Sequence, residues 1–257
     1  MRAMISIRCF IDASVFAACV LLAVGPAYAN PIDDCNHSPD VAKQIDGCTQ
    51  FLEFEPDSPY VSLAYGLRGG AYQKKGDLDH AIADFSHAIE VDPGSFKIYV
   101  DRGIAYRDKG DVDQAIADFS KAIAIDSQFG DAFVNRCAAY ADKGQAHLAI
   151  KDCTTAIVLN PKDAVAFNDR GVAQEKKGDL DAAIADYSKA IELDPGYGVA
   201  YANRAVVYDH KGEKESPIAI TGRRYPRTRA TRIARTLKLR FNGLVQVPDL
   251  SRMDAPR

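Results

Sequence analysis

The side chains best suited to chemistry are few, and their spacing argues against a catalytic centre. Four cysteines follow residue 29: Cys35, Cys48, Cys137 and Cys153. None forms a C-x-x-C pair, so thiol–disulfide exchange of the oxidoreductase kind has no motif to use. His80 and His87 lie two helical turns apart, too far to share one metal without a third ligand between them, and no H-x-x-x-H occurs. The glycines of "YGLRGGAYQKKG" suggest a phosphate loop, but no strand pattern precedes them and no G-K-[ST] follows. No Ser–His or Cys–His arrangement stands out. Carboxylates are numerous, yet each recurs with a fixed period, which marks a scaffold rather than a unique acid–base pair. The sequence therefore implies no catalytic residues, no cofactor and no metal, and not an enzyme.

That period organises the chain. Tyr65, Tyr99, Phe133, Phe167 and Tyr201 stand 34 residues apart, as do Arg68, Arg102, Arg136, Arg170 and Arg204. Gly76, Gly110, Gly144, Gly178 and Gly212 keep the same step, and so do Ala81, Ala115, Ala149 and Ala183. Pro93, Pro161 and Pro195 close three of the units, with Ser127 in that place in the second. Within a unit an aromatic, a small residue four on (Gly69, Gly103, Cys137, Gly171) and usually a Tyr three later fall on one helical face. The "KG" pair ends that helix, since glycine takes the left-handed C-cap conformation at low cost. Asp77, Asp111 and Asp179 suit the start of the next helix. Ala81, Phe85 and Ala88 show its packing face, and "DP" stops it.

The period, with its glycine, alanine and proline positions, resembles the tetratricopeptide repeat over roughly residues 60–212. The resemblance implies an all-α fold, a right-handed superhelical solenoid of antiparallel helix pairs. Residues 60–217 would hold four full repeats and the first helix of a fifth. One departure is consistent: arginine stands where the family usually has leucine. Asp84, Asp118, Asp152 and Asp186 follow the first four arginines by 16 residues, across the helical hairpin, which predicts a ladder of Arg–Asp pairs. The alternative is a solvated charged stripe, in which each exposed pair is worth ~0–1 kcal/mol. "IDGCTQFLEFEPDS" matches a second helix alone, so residues 30–59 are expected to cap the array. Cys35 and Cys48 would staple that cap. Cys137 and Cys153 replace the small residue and the aromatic of one repeat, columns that face each other, and are expected to form a second bridge.

In the resembling family the first helices line a concave face. Here that face would present Val100, Ile104, Arg107, Val134, Ala138, Asn168, Val172 and Val206, with Gly66, Gly70 and Ala202 beside them. A shallow apolar groove with mixed charges at its margin suits an extended segment or helix of a partner protein. The family's clamp for a C-terminal carboxylate needs Lys, Asn and Arg at groove positions held here by Gly66, Gly70, Ile104, Ala138 and Asp142, so that specificity is not implied. The expected function is a protein-interaction scaffold or adaptor.

The two ends differ from the middle. Arg2 and Arg8, the apolar run "VFAACVLLAV" at 15–24 and "AYA" ending at Ala29 read as a cleaved export signal, residues 1–29. Its apolar run is about half of the roughly 20 residues a membrane span needs. Export to a periplasm or the exterior, an oxidising compartment, favours disulfides for the remaining cysteines. The net charge of −3 hides an asymmetry. Residues 30–217 carry 20 Lys/Arg against 32 Asp/Glu, whereas residues 218–257 carry 10 against 2. In the fifth repeat Arg204 would expect an Asp at position 220, and the chain has Ile220, in "IAIT" where "IADY" belongs. A single lost base explains this. The last base of an Ala codon with "AT" of Ile220 spells Asp, and "T" with "AC" of Thr221 spells Tyr. The shifted frame also allows Ala, Ile, Asp and Pro at Arg224, Tyr225, Thr228 and Arg229, although Pro226, Arg227 and Arg235 do not fit. The other reading is a genuine basic tail that attaches to an anionic lipid or polymer surface. Export and the lack of interleaved aromatics argue against nucleic acid.

Overall fold

The computed structural model describes residues 31–212, and every described element is a helix, turn or loop. The expected signal and the arginine-rich tail lie outside these residues. Eleven helices follow in order among them: α1 (Pro31–His37), α2 (Val41–Phe54), α3 (Val61–Lys75), α4 (Leu78–Val91), α5 (Phe96–Lys109), α6 (Val112–Ile125), α7 (Gly130–Asp142), α8 (Ala146–Leu159), α9 (Ala164–Lys177), α10 (Leu180–Leu193) and α11 (Gly198–His210). Contacts divide the chain into two compact units, with the boundary after Ala139, inside α7.

In the first unit α3 packs on α4 and α5 on α6, each pair joined by a tight turn. Glycine makes that turn. Gly110 has φ 96°, a left-handed conformation that costs glycine little, and its N–H donates to the carbonyls of Arg107 and Tyr106. The following Asp77 caps α4 by accepting from the His80 N–H, but Asp111 makes no such bond to α6, so the expected cap is met in one hairpin and not the other. Packing between paired helices is close. A methyl group at Gly103 would stand 2.6 Å from Cε1 of Phe119, so the ring occupies the space a side chain would need. Phe119, Ala115 and Ala122 from α6 meet Tyr99 and Val100 from α5 in one buried cluster.

The N-terminal segment is itself a helix pair rather than one helix with an attached strand of loop. Cys35 on α1 and Cys48 on α2 are bridged, both fully buried, with Phe51 and Ala64 around them. Gln44 donates from Nε2 to the Cys35 carbonyl at 3.1 Å. Gly47 lets α1 approach: a methyl there would lie 2.8 Å from the Cys35 nitrogen. Closing a loop of this size is worth about 3 kcal/mol in the chain-entropy account. Cys137 and Cys153 are also disulfide-bonded.

In the second unit α9 packs on α10, α8 on α9 and α10 on α11. Asp163 caps α9 by accepting from the N–H groups of Val165 and Ala166, and Asp179 accepts from Ala182. Tyr187 stands in the column that holds Phe85 and Phe119 in the first unit, against Gly171, and is fully buried.

Candidate functional site

The arginine column is the most regular polar feature, and it is internal rather than a solvated stripe. In the first unit Arg68 donates from Nε and Nη2 to both oxygens of Asp84, each at 2.8 Å, and Arg102 does the same to Asp118. In the second unit Arg170 grips Asp186 at 2.7 Å through both nitrogens. Such fork-to-carboxylate pairs carry directional hydrogen bonds as well as charge. The Asp side chains are 7–8% exposed and their arginines 17–21%. Each guanidinium also lies over an aromatic ring one helical turn back, as Arg102 does over Tyr99 at 5.7 Å. The hydrogen bonds that Arg68 donates to Asp84 raise its pKa, and those that Arg102 donates to Asp118 do the same.

A third contact was not foreseen from the sequence. Arg102 Nη1 donates to the Ser86 hydroxyl of the preceding repeat at 3.0 Å. Arg136 reaches Ser120, Arg170 reaches Thr154 and Arg204 reaches Ser188 in the same way, while Arg68 reaches Thr49 of α2. Each arginine therefore ties its own helix to the helix before it. The signal was present as a hydroxyl column, Ser86, Ser120, Thr154 and Ser188, at the repeat period.

The expected inner face is uneven. In the first unit Val100 and Val134 are buried, at 6% and 8% exposure, and so contribute mainly packing. Ile104, Arg107 and Ala138 are half-buried, with Ile104 leaning on the core of the second hairpin. In the second unit Asn168 is buried and structural, accepting from Asn203 Nδ2 at 3.0 Å and donating to Asp169. Val172 is half-buried beside the Tyr187 cluster. Val206 is 46% exposed, and Val165 and Val199, which the sequence reading left out, are nearly as open. On α9 and α11 these valines fall at matching positions, one helical repeat of the motif apart.

Beside them lies a polar edge. The Tyr187 hydroxyl donates to Glu175 Oε2 at 3.0 Å, and His210 Nδ1 stands 3.7 Å from the other oxygen. Burial, and then the Glu175 charge, pushes the Tyr187 phenol well above its ordinary pKa. A phenol held protonated in this way is a hydrogen-bond donor, not a base. Among the described residues no group of three His, Cys, Asp or Glu side chains could hold a metal, and no helix is long and apolar enough to cross a membrane.

Repeat models match three segments: a tetratricopeptide repeat at residues 63–95, a TPR repeat at 103–144 and a tetratricopeptide repeat at 164–197. The chain is a tetratricopeptide-repeat protein. Among solved structures it is similar to MamA, at 25% identity and a TM-score of 0.53, covering 67% of this chain and 97% of MamA. It is similar also to YrrB, a TPR protein with an unusual peptide-binding site, at 25% identity and a TM-score of 0.53, over 66% of this chain and 87% of YrrB. A tetratricopeptide repeat protein from Parabacteroides merdae shares the fold at 17% identity, with a TM-score of 0.63 over 78% of this chain and 80% of that one. Among curated proteins none matches the sequence.

Proposed function

We propose that this tetratricopeptide-repeat protein is a non-catalytic interaction scaffold that holds a peptide or helix of a partner protein against its first helices. The observation that carries the reading is the set of open valines, Val165, Val199 and Val206, each 44–46% exposed on helices whose other faces are packed. Apolar side chains displayed at a helical spacing suit the side chains of a docked segment. Peptide binding by the similar YrrB supports the same use of this fold. Disulfide-bonded cysteines fit an exported protein in an oxidising compartment.

The test replaces Val165, Val199 and Val206 together with lysine. These side chains are open, so the melting temperature is expected to stay within a few degrees. Peptides selected on the unaltered chain from a phage-displayed random library are expected to lose binding to the variant. Undiminished binding by the variant would reject the inner-face reading. Substitution at Val134 is a poorer probe, because a lysine there would be buried and would unfold the helix pair for reasons unrelated to binding.

A further inference from the structure

One carboxylate on the inner face of the first unit has no protein partner, and its surroundings say what would satisfy it. Asp101 stands on α5, half-buried, and makes no hydrogen bond or ion pair among the described residues. Its helix faces α3 in a register fixed at two points. Ile98, one turn before Asp101, leans over Gly66, where a methyl group would meet its Cδ1 at 2.8 Å. At the other end Gln73 donates to Asp108 at 3.4 Å. Between those points α3 offers glycine: at Gly70 an added methyl would meet nothing within 4 Å. Gly70 thus leaves open space on α3 between the same two register points that bracket Asp101 on α5.

Equivalent positions elsewhere in the repeat are provided for. Asn135 donates to the Asp131 carbonyl, and Asn203 donates to Asn168. At the equivalent place in the first repeat the residue is Leu67, packed against the stapled α1–α2 pair. The exposed Lys97, one turn away, favours the charged form of Asp101 but forms no ion pair with it. Burial raises the Asp101 pKa, and the Lys97 charge offsets that only in part.

We propose that Asp101 receives a cationic side chain, lysine or arginine, from a partner segment lying over Gly70 of α3. The excess of Asp and Glu over Lys and Arg across residues 30–217 favours a basic partner by the same logic at longer range. Ile104, half-buried one turn along α5, would meet the apolar stem of that side chain or its neighbour. This inference rests on the interaction reading above and adds the chemistry of the partner.

The experiment uses the full chain with short random peptides displayed on phage. Selected peptides are expected to carry lysine or arginine at one common position. Binding of a selected peptide is then measured by fluorescence anisotropy for the unaltered chain and Asp101→Asn, with the peptide's basic residue kept or changed to glutamine. Either single change is expected to weaken binding about tenfold, and the second to add little once the first is made. The melting temperature of Asp101→Asn should equal or exceed that of the unaltered chain, which separates a lost contact from a lost fold. Peptides that bind without a basic residue, or that ignore Asp101→Asn, would overturn this inference and leave the scaffold reading standing. Selection of no peptide at all would overturn both.

Discussion

Asp118 and Asp101 sit in the same hairpin of the first unit, carry the same carboxylate, and are treated in opposite ways. Asp118 is almost fully buried, and Arg102 closes on both of its oxygens while reaching Ser86 of the previous repeat. Asp101 is half-buried and makes no hydrogen bond or ion pair among the described residues. The first arrangement converts a buried charge into register, because only one stacking of hairpins satisfies guanidinium, carboxylate and hydroxyl together. The second leaves a charge whose desolvation the protein offsets only in part, through the unpaired charge of Lys97. A repeat protein can carry such a residue where a ligand, rather than the fold, completes the site.

Breaking the first member of the comparison should cost most. Asp118→Ala leaves the Arg102 guanidinium among apolar neighbours without its carboxylate, and urea unfolding is expected to show a loss of about 3 kcal/mol. A loss within experimental error would mean the arginine ladder is ornamental. Next comes Gly103→Ala, which pushes a methyl group into the Phe119 ring and is expected to cost about 2 kcal/mol in the same measurement. Ser86→Ala removes only the hydroxyl that receives Arg102, and a loss of about 1 kcal/mol is expected. Its size relative to Asp118→Ala separates the contribution of stacking between repeats from that of pairing within one.

The smallest effect has the opposite sign. A carboxyl whose folded pKa is raised contributes stability below the ordinary carboxylate range, and loses it as pH rises through the folded value. Asp101→Asn should therefore be more stable than the unaltered chain near neutral pH, by about 0.5 kcal/mol after allowing for solvent screening. The gain should vanish as pH falls into the ordinary carboxylate range. If Asp101 were instead paired, thermal melts would show Asp101→Asn as the less stable protein near neutral pH, with that deficit shrinking as pH falls.

Sequence alone exposes the ladder's two ends but not its middle. The 16-residue step from Arg to Asp is visible because both columns are invariant in type across the repeats. The Ser/Thr column that receives the arginines was overlooked, since a half-exposed serine on a helix usually bonds its own backbone. Ser86 does so, donating to the Ile82 carbonyl at 2.7 Å while accepting from Arg102. The inner face was harder to read. Val100 and Val134 share one column of the repeat and are buried, whereas Val206 belongs to the column of Ile104, Ala138 and Val172 and is open. The state of Asp101 is not legible in the sequence, because a missing partner leaves no pattern there.

The most direct test of the scaffold reading is site-specific photo-crosslinking in the cells that make the protein. A benzoylphenylalanine is placed at Val199 or Val206 on the proposed binding face, or at Val158 on α8, which is 74% exposed and outside the proposed face. Mass spectrometry then identifies the adducts. The two inner positions are expected to capture the same partner, and Val158 to capture none of it. Equal capture from Val158, or no adduct from Val199 and Val206, would contradict an interaction scaffold working through its first helices.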